Sequence, residues 1–123
     1  MPAPGQVYNL QVRAGVGPRS ASDRKHPGLI VSQQLPASPG DSPWVVVPMT
    51  GTKPRQLRMT HVEITDKIGT LDPPLWILCE YPTTLDATMF VGQSARASLD
   101  LGTMRLVRNK LGWLLRIVPT VVQ

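Results

Sequence analysis

Trp44-Val45-Val46-Val47-Pro48-Met49-Thr50-Gly51 is the stretch on which the fold of this 123-residue chain turns. Trp44 to Met49 is an apolar run rich in Val, with Pro43 before it and Pro48 near its end. A run this short is too brief for a stable helix, and branching at Cβ favours an extended backbone. A strand is expected over Trp44–Met49. Four runs of similar length surround it: Val7–Val12 and Leu29–Ser32 before it, His61–Ile64 and Leu75–Glu80 after it. The 13 prolines support a strand-rich reading, because each removes a backbone donor and resists a helix interior.

The connections between the runs are unequal. Residues 13–26 are polar and rich in Gly and Ser, with Arg19, Asp23, Arg24 and Lys25 toward the end, whereas residues 33–43 are rich in Pro, Ser and Gly and nearly uncharged. Both are expected to be mobile loops. Long loops in a compact domain often carry function, so the charged one is the better place for a site. Near the C-terminus, Met104, Val107, Leu111, Leu114 and Leu115 share one face at helical spacing, with Arg105, Arg108, Asn109 and Arg116 elsewhere. A helix is expected over 103–116, capped by Thr103 and ended before Pro119.

A chain of this length suits one domain, residues 1–123, with a single core. Its lone cysteine, Cys79, cannot form an internal disulfide, so a reducing, cytoplasmic home is expected. Neither the opening Met1-Pro2-Ala3-Pro4-Gly5-Gln6 nor any later run resembles a secretory leader or a membrane span of roughly 20 apolar residues. The net charge of +5 is uneven. Residues 1–61 hold seven Lys and Arg against Asp23 and Asp41, while residues 62–123 hold six bases and six acids. Such a concentration of cations suits a polyanion, since phosphate contacts release counterions.

One Cys and two separated His do not make a metal set, and no cofactor is expected. Gly15-Val16-Gly17-Pro18 lacks the Lys and the context of a phosphate-binding loop. What remains is a set of polar residues at strand ends: His26, Thr50, His61 and the segment Thr83–Asp86. Metal-free RNA cleavage needs a proton acceptor, a proton donor and charge stabilisation at phosphorus, and His26 can move protons. For His61, alternation with Val62 and Ile64 favours a structural or surface role.

Five segments in order resemble the MazF/PemK (Kid) toxins, bacterial ribonucleases of toxin-antitoxin pairs. Gly5-Gln6-Val7-Tyr8 is similar to the family's opening strand, and His26-Pro27-Gly28-Leu29-Ile30-Val31-Ser32 to its Arg-Pro-x-Leu-Val-Val-Ser strand. Val45-Val46-Val47-Pro48-Met49-Thr50-Gly51 resembles the strand ending Pro-Leu-Thr-Ser, and Thr60–Ile64 the strand after it. Leu78-Cys79-Glu80-Tyr81-Pro82-Thr83-Thr84-Leu85-Asp86 resembles Cys-Asp-Gln-x-Arg-Thr-Ile-Asp.

The resemblance implies a mainly β fold with a C-terminal α-helix, an SH3-like barrel of the MazF/PemK/CcdB type. It also implies a homodimer, a groove for single-stranded RNA, an antitoxin partner and growth inhibition by RNA cleavage. Carried over by position, the catalytic set is His26, Thr50 and Thr83, with Thr50 kept and His26 and Thr83 standing where the family has Arg. Arg24 joins that set as the nearby cation, and Arg19, Lys25, Lys53, Arg55 and Arg58 are the expected RNA-binding residues. Two other readings stay open: a non-catalytic toxin-fold module that inhibits a protein or binds RNA without cutting it, and an unrelated SH3-like or OB-like nucleic-acid-binding domain.

Overall fold

The Val-rich run forms β3, Trp44–Thr50, and both edges of this strand are paired. In the computed structural model, which describes residues 2–11, 25–36, 43–86, 90–91 and 94–115, one edge of β3 lies antiparallel to β2, Lys25–Ile30, in the register Gly28↔Pro48, Leu29↔Val47, Ile30↔Val46. Its other edge is shared. β6, Thr83–Leu85, pairs with Trp44 to Val46, and β5, Leu75–Leu78, pairs with Met49 and Thr50. Pro48 falls at the handover between them, where that edge has no ladder bond to lose.

β1, Gln6–Gln11, continues the sheet beyond β2, and β4, His61–Ile64, continues it beyond β5. Two short strands, β7 (Phe90–Val91) and β8 (Ala97–Ser98), both pair with β1. The order β4-β5-β3-β2-β1-β7, antiparallel throughout, curls into a half-barrel that carries the helix α1, Leu101–Leu114. Among the described strands the path ends at β4 and β7, so the expected barrel is observed as an open half-barrel.

Both faces of the central strands are buried, which is why β3 reads as a continuous apolar run. On one face Val7, Leu29, Val47, Met49, Ile77 and Cys79 pack with Met104 and Val107 of α1. On the other, Tyr8, Leu10, Ile30, Trp44 and Val46 form a second core with Leu85 and Phe90. Gly28 belongs to this second face, where a Cβ would collide with Leu10 and lie 2.9 Å from Val46 Cγ1.

Several boundaries differ from the sequence reading. β2 begins at Lys25, so Lys25 and His26 stand in a strand and not at the end of a loop; residues 13–24 and 37–42 lie outside the described residues. β5 stops at Leu78, and β6, β7 and β8, two or three residues each, were too short for periodicity to show. The helix starts at Leu101, before the expected Thr103. Asp100 is its N-cap: Oδ1 accepts the Thr103 N–H at 2.9 Å, so Thr103 is the capped residue and not the cap. Hydrogen bonds from Thr103, side chain and then backbone, hold the Asp100 carboxyl below its ordinary range. Leu115, expected in the buried stripe, is the exposed C-cap, and Arg116 lies outside the described residues.

Candidate functional site

Thr50 ends β3 on the same face as Trp44, Val46 and Pro48, and is half-buried. Its hydroxyl oxygen accepts the Thr52 N–H at 3.1 Å, which fixes the side chain and leaves its own proton to donate. A phosphate oxygen is a suitable acceptor for that proton. His26 pairs with Leu10 of β1, and the β2–β3 partners end at Gly28↔Pro48, two residues short of both His26 and Thr50. Arg19 and Arg24 lie outside the described residues, and Lys25 is placed in β2 by its backbone.

Thr83 is elsewhere. It pairs with Val46, four residues along β3 from Thr50, about 13 Å at strand spacing, and its hydroxyl donates to the Tyr81 carbonyl at 3.3 Å. The strand neighbour of Thr50 on that edge is Trp76, whose side chain is buried. Nothing in its local pattern distinguished Trp76 from the rest of the Leu75–Leu78 run.

Beyond Thr50 the chain runs through an exposed segment that carries Lys53, Arg55 and Arg58, and returns to β4 at the buried Thr60. Leu57 and Met59 are more than half exposed within it, so cations alternate with apolar side chains on one accessible stretch. That composition suits a single strand of nucleic acid, which offers phosphates and base faces together. Lys53 and Arg55 are exposed, whereas the Arg58 Nε lies 3.8 Å from Glu80 Oε2. Glu80 also accepts from Thr60 Oγ1 at 3.0 Å and pairs with His61 Nε2 at 2.6 Å. The structural role expected for His61 agrees with this contact.

Cys79 is fully buried, and its thiol is pushed up to about 12, first by burial and then by the Glu80 charge, against a smaller opposing effect of Lys110. It is no nucleophile. Between β4 and the start of α1 lies a cleft of about 280 Å³ walled by Glu63, Asp66 and Asp100, whose charge is the wrong sign for phosphate. Among the described residues no group of three or more His, Cys, Asp or Glu is placed to hold a metal ion.

The fold recurs in solved structures. A mycobacterial endoribonuclease in complex with its cognate antitoxin is similar at a TM-score of 0.67 and 20% identity, covering 96% of this chain and 98% of that one. The chain has the fold of the MazF toxins. The Mycobacterium tuberculosis toxin MazF-mt6 is similar at a TM-score of 0.64 and 16% identity, over 90% of this chain and 96% of that one. A chain of the MazE–MazF structure from Deinococcus radiodurans is similar at 0.65 and 20%, over 95% and 98%. No protein-family model matches the chain, and no curated protein sequence matches it significantly. The MazF-type fold is therefore carried by architecture at low identity, with the Pro48-Met49-Thr50 strand end at the point where the basic segment leaves the sheet. No helix among the described residues is long and apolar enough to cross a membrane.

Proposed function

We propose that this chain is a toxin-type endoribonuclease that cuts single-stranded RNA without a metal and is neutralised by an antitoxin. The observation that carries the reading is the end-to-end fold match to an endoribonuclease solved with its cognate antitoxin, over nearly the whole of both chains. Local geometry supports it: the donor-competent Thr50 hydroxyl stands at the head of the segment with Lys53 and Arg55, and His26 lies on the neighbouring strand β2. In this reading His26 transfers the proton of the 2′-hydroxyl or of the leaving oxygen, and Thr50 donates to the phosphate. Arg19, Arg24 or Lys25 supplies the cation. Thr83, some four residues along β3 from Thr50, is left out of the catalytic set.

The test is cleavage of a single-stranded RNA by the purified chain in EDTA, with His26→Ala and Thr50→Ala alongside. Each substitution is expected to slow cutting at least tenfold, in the range of losing one stabilising hydrogen bond or a general acid-base group. Unchanged cutting by both variants would falsify the assignment.

A second reading keeps the fold and drops the chemistry. Positions 26 and 83 carry His and Thr where the family it resembles has Arg, and such replacements suit a module that binds RNA or a protein target without cutting. Growth arrest on expression, with cellular RNA intact, selects this reading.

A further inference from the structure

Glu80 follows β5 and gathers the root of the basic segment. Its Oε1 accepts a hydrogen bond from the Thr60 hydroxyl at 3.0 Å, its Oε2 lies 2.6 Å from His61 Nε2, and Arg58 Nε approaches that same oxygen at 3.8 Å. The side chains of His61 and Glu80 are 6% and 14% exposed, so water competes little for these bonds.

On its other side the His61 ring holds the chain itself. The Arg58 N–H donates to Nδ1 at 3.2 Å, and the His61 N–H donates back to the Arg58 carbonyl at 3.0 Å, closing residues 58–61 as a turn bonded twice. A backbone N–H can only donate, so Nδ1 is the unprotonated nitrogen and the ring proton sits on Nε2. A carboxylate facing Nε2 suits that tautomer and orients the ring. Without it, no other described residue bonds that edge of the ring to keep Nδ1 aimed at the Arg58 amide.

We propose that Glu80 is a positioning residue for nucleic-acid binding: through His61 it pins the Arg58–His61 turn and so presents the basic segment with Lys53 and Arg55 to an RNA strand. The proposal rests on the RNA-binding reading above.

Two effects of removing Glu80 have opposite signs, which makes the proposal decidable. Losing a negative charge beside a basic segment raises affinity for a polyanion, while losing the pinned turn lowers it. The experiment measures binding of a fluorescent single-stranded RNA to the full chain, together with hydrogen exchange of the Arg58 amide. Glu80→Ala is expected to speed that exchange and weaken RNA binding about fivefold, the scale of one hydrogen bond. Adding His61→Asn should restore both, because the Asn carbonyl oxygen can stand where Nδ1 stood and needs no carboxylate behind it.

Binding by Glu80→Ala as tight as wild type, or tighter, overturns the proposal while leaving the RNA reading intact. Absence of RNA binding by the wild-type chain overturns both, and shows before any variant is made. Should Glu80→Ala fail to fold, His61→Ala decides, because it leaves the Glu80 charge in place: positioning through the ring predicts faster Arg58 exchange and weaker RNA binding, and wild-type affinity overturns the proposal.

Discussion

Arg96 reaches Asn9 across 87 residues of sequence: its Nη1 donates to Asn9 Oδ1 at 2.8 Å, while its Nε donates to Thr70 Oγ1 at 3.1 Å. The Arg96 backbone is tied as well, its N–H to the Val7 carbonyl at 2.7 Å and its carbonyl to the Thr70 N–H at 3.1 Å. One residue thus joins β1, the turn after β4 and the approach to β8. Arg96→Ala should lower stability by about 1–3 kcal/mol, the range for partly buried bonds from a charged donor. Urea unfolding measures it, and a midpoint equal to wild type refutes the tie.

Gly69 lies in that same turn at φ +53°, where an added Cβ would run into the Arg96 carbonyl oxygen and lie 2.9 Å from Ala97 Cα. The clash is with backbone, which cannot swing aside as a side chain would. Gly69→Ala should cost roughly 1–3 kcal/mol through strain and overpacking combined. A thermal midpoint within a degree of wild type would count against it.

Burial of Cys79 has a pH consequence. Its thiol is raised from an ordinary 9.0 to about 12 in the fold, so the unfolded chain loses its proton first. The stabilisation is complete below about 9 and declines as pH rises toward 12. Cys79→Ser should flatten the alkaline decline in the unfolding midpoint. In the native chain a thiol reagent should label Cys79 only at the rate of opening.

The helix cap acts at the other end of the scale. Asp100 is held below its ordinary range by Thr103, so its contribution is present at neutral pH, when the carboxylate is charged, and is lost as pH falls through the lowered folded value. Asp100→Asn, still a competent cap, should remove that acid dependence and keep most of the helix, as read by circular dichroism from pH 2 to 7.

Lys53 and Arg55 are the exposed cations nearest Thr50 in the chain. If each contacts a phosphate, replacing one by Ala lowers the slope of log affinity against log salt by about 0.7, the value for a single strand. Parallel salt plots for wild type and both variants place the strand elsewhere.

The chain's own sequence determined which segments are extended and which is helical. The Val-rich run of β3, the buried runs of β1 and β5 and the Met104, Val107, Leu111 stripe of α1 are local patterns, and local period is set by backbone geometry alone. Tertiary structure decided the rest. The strands Thr83–Leu85, Phe90–Val91 and Ala97–Ser98 exist because β3 and β1 offer edges to pair with, not because two or three residues have a preference of their own. The meeting of Thr50 with Trp76, the distance that separates Thr83 from Thr50, and the joining of Glu80 to His61 all follow from strand register. Register is a relation between segments far apart in the chain, and a sequence read one window at a time contains only one side of it.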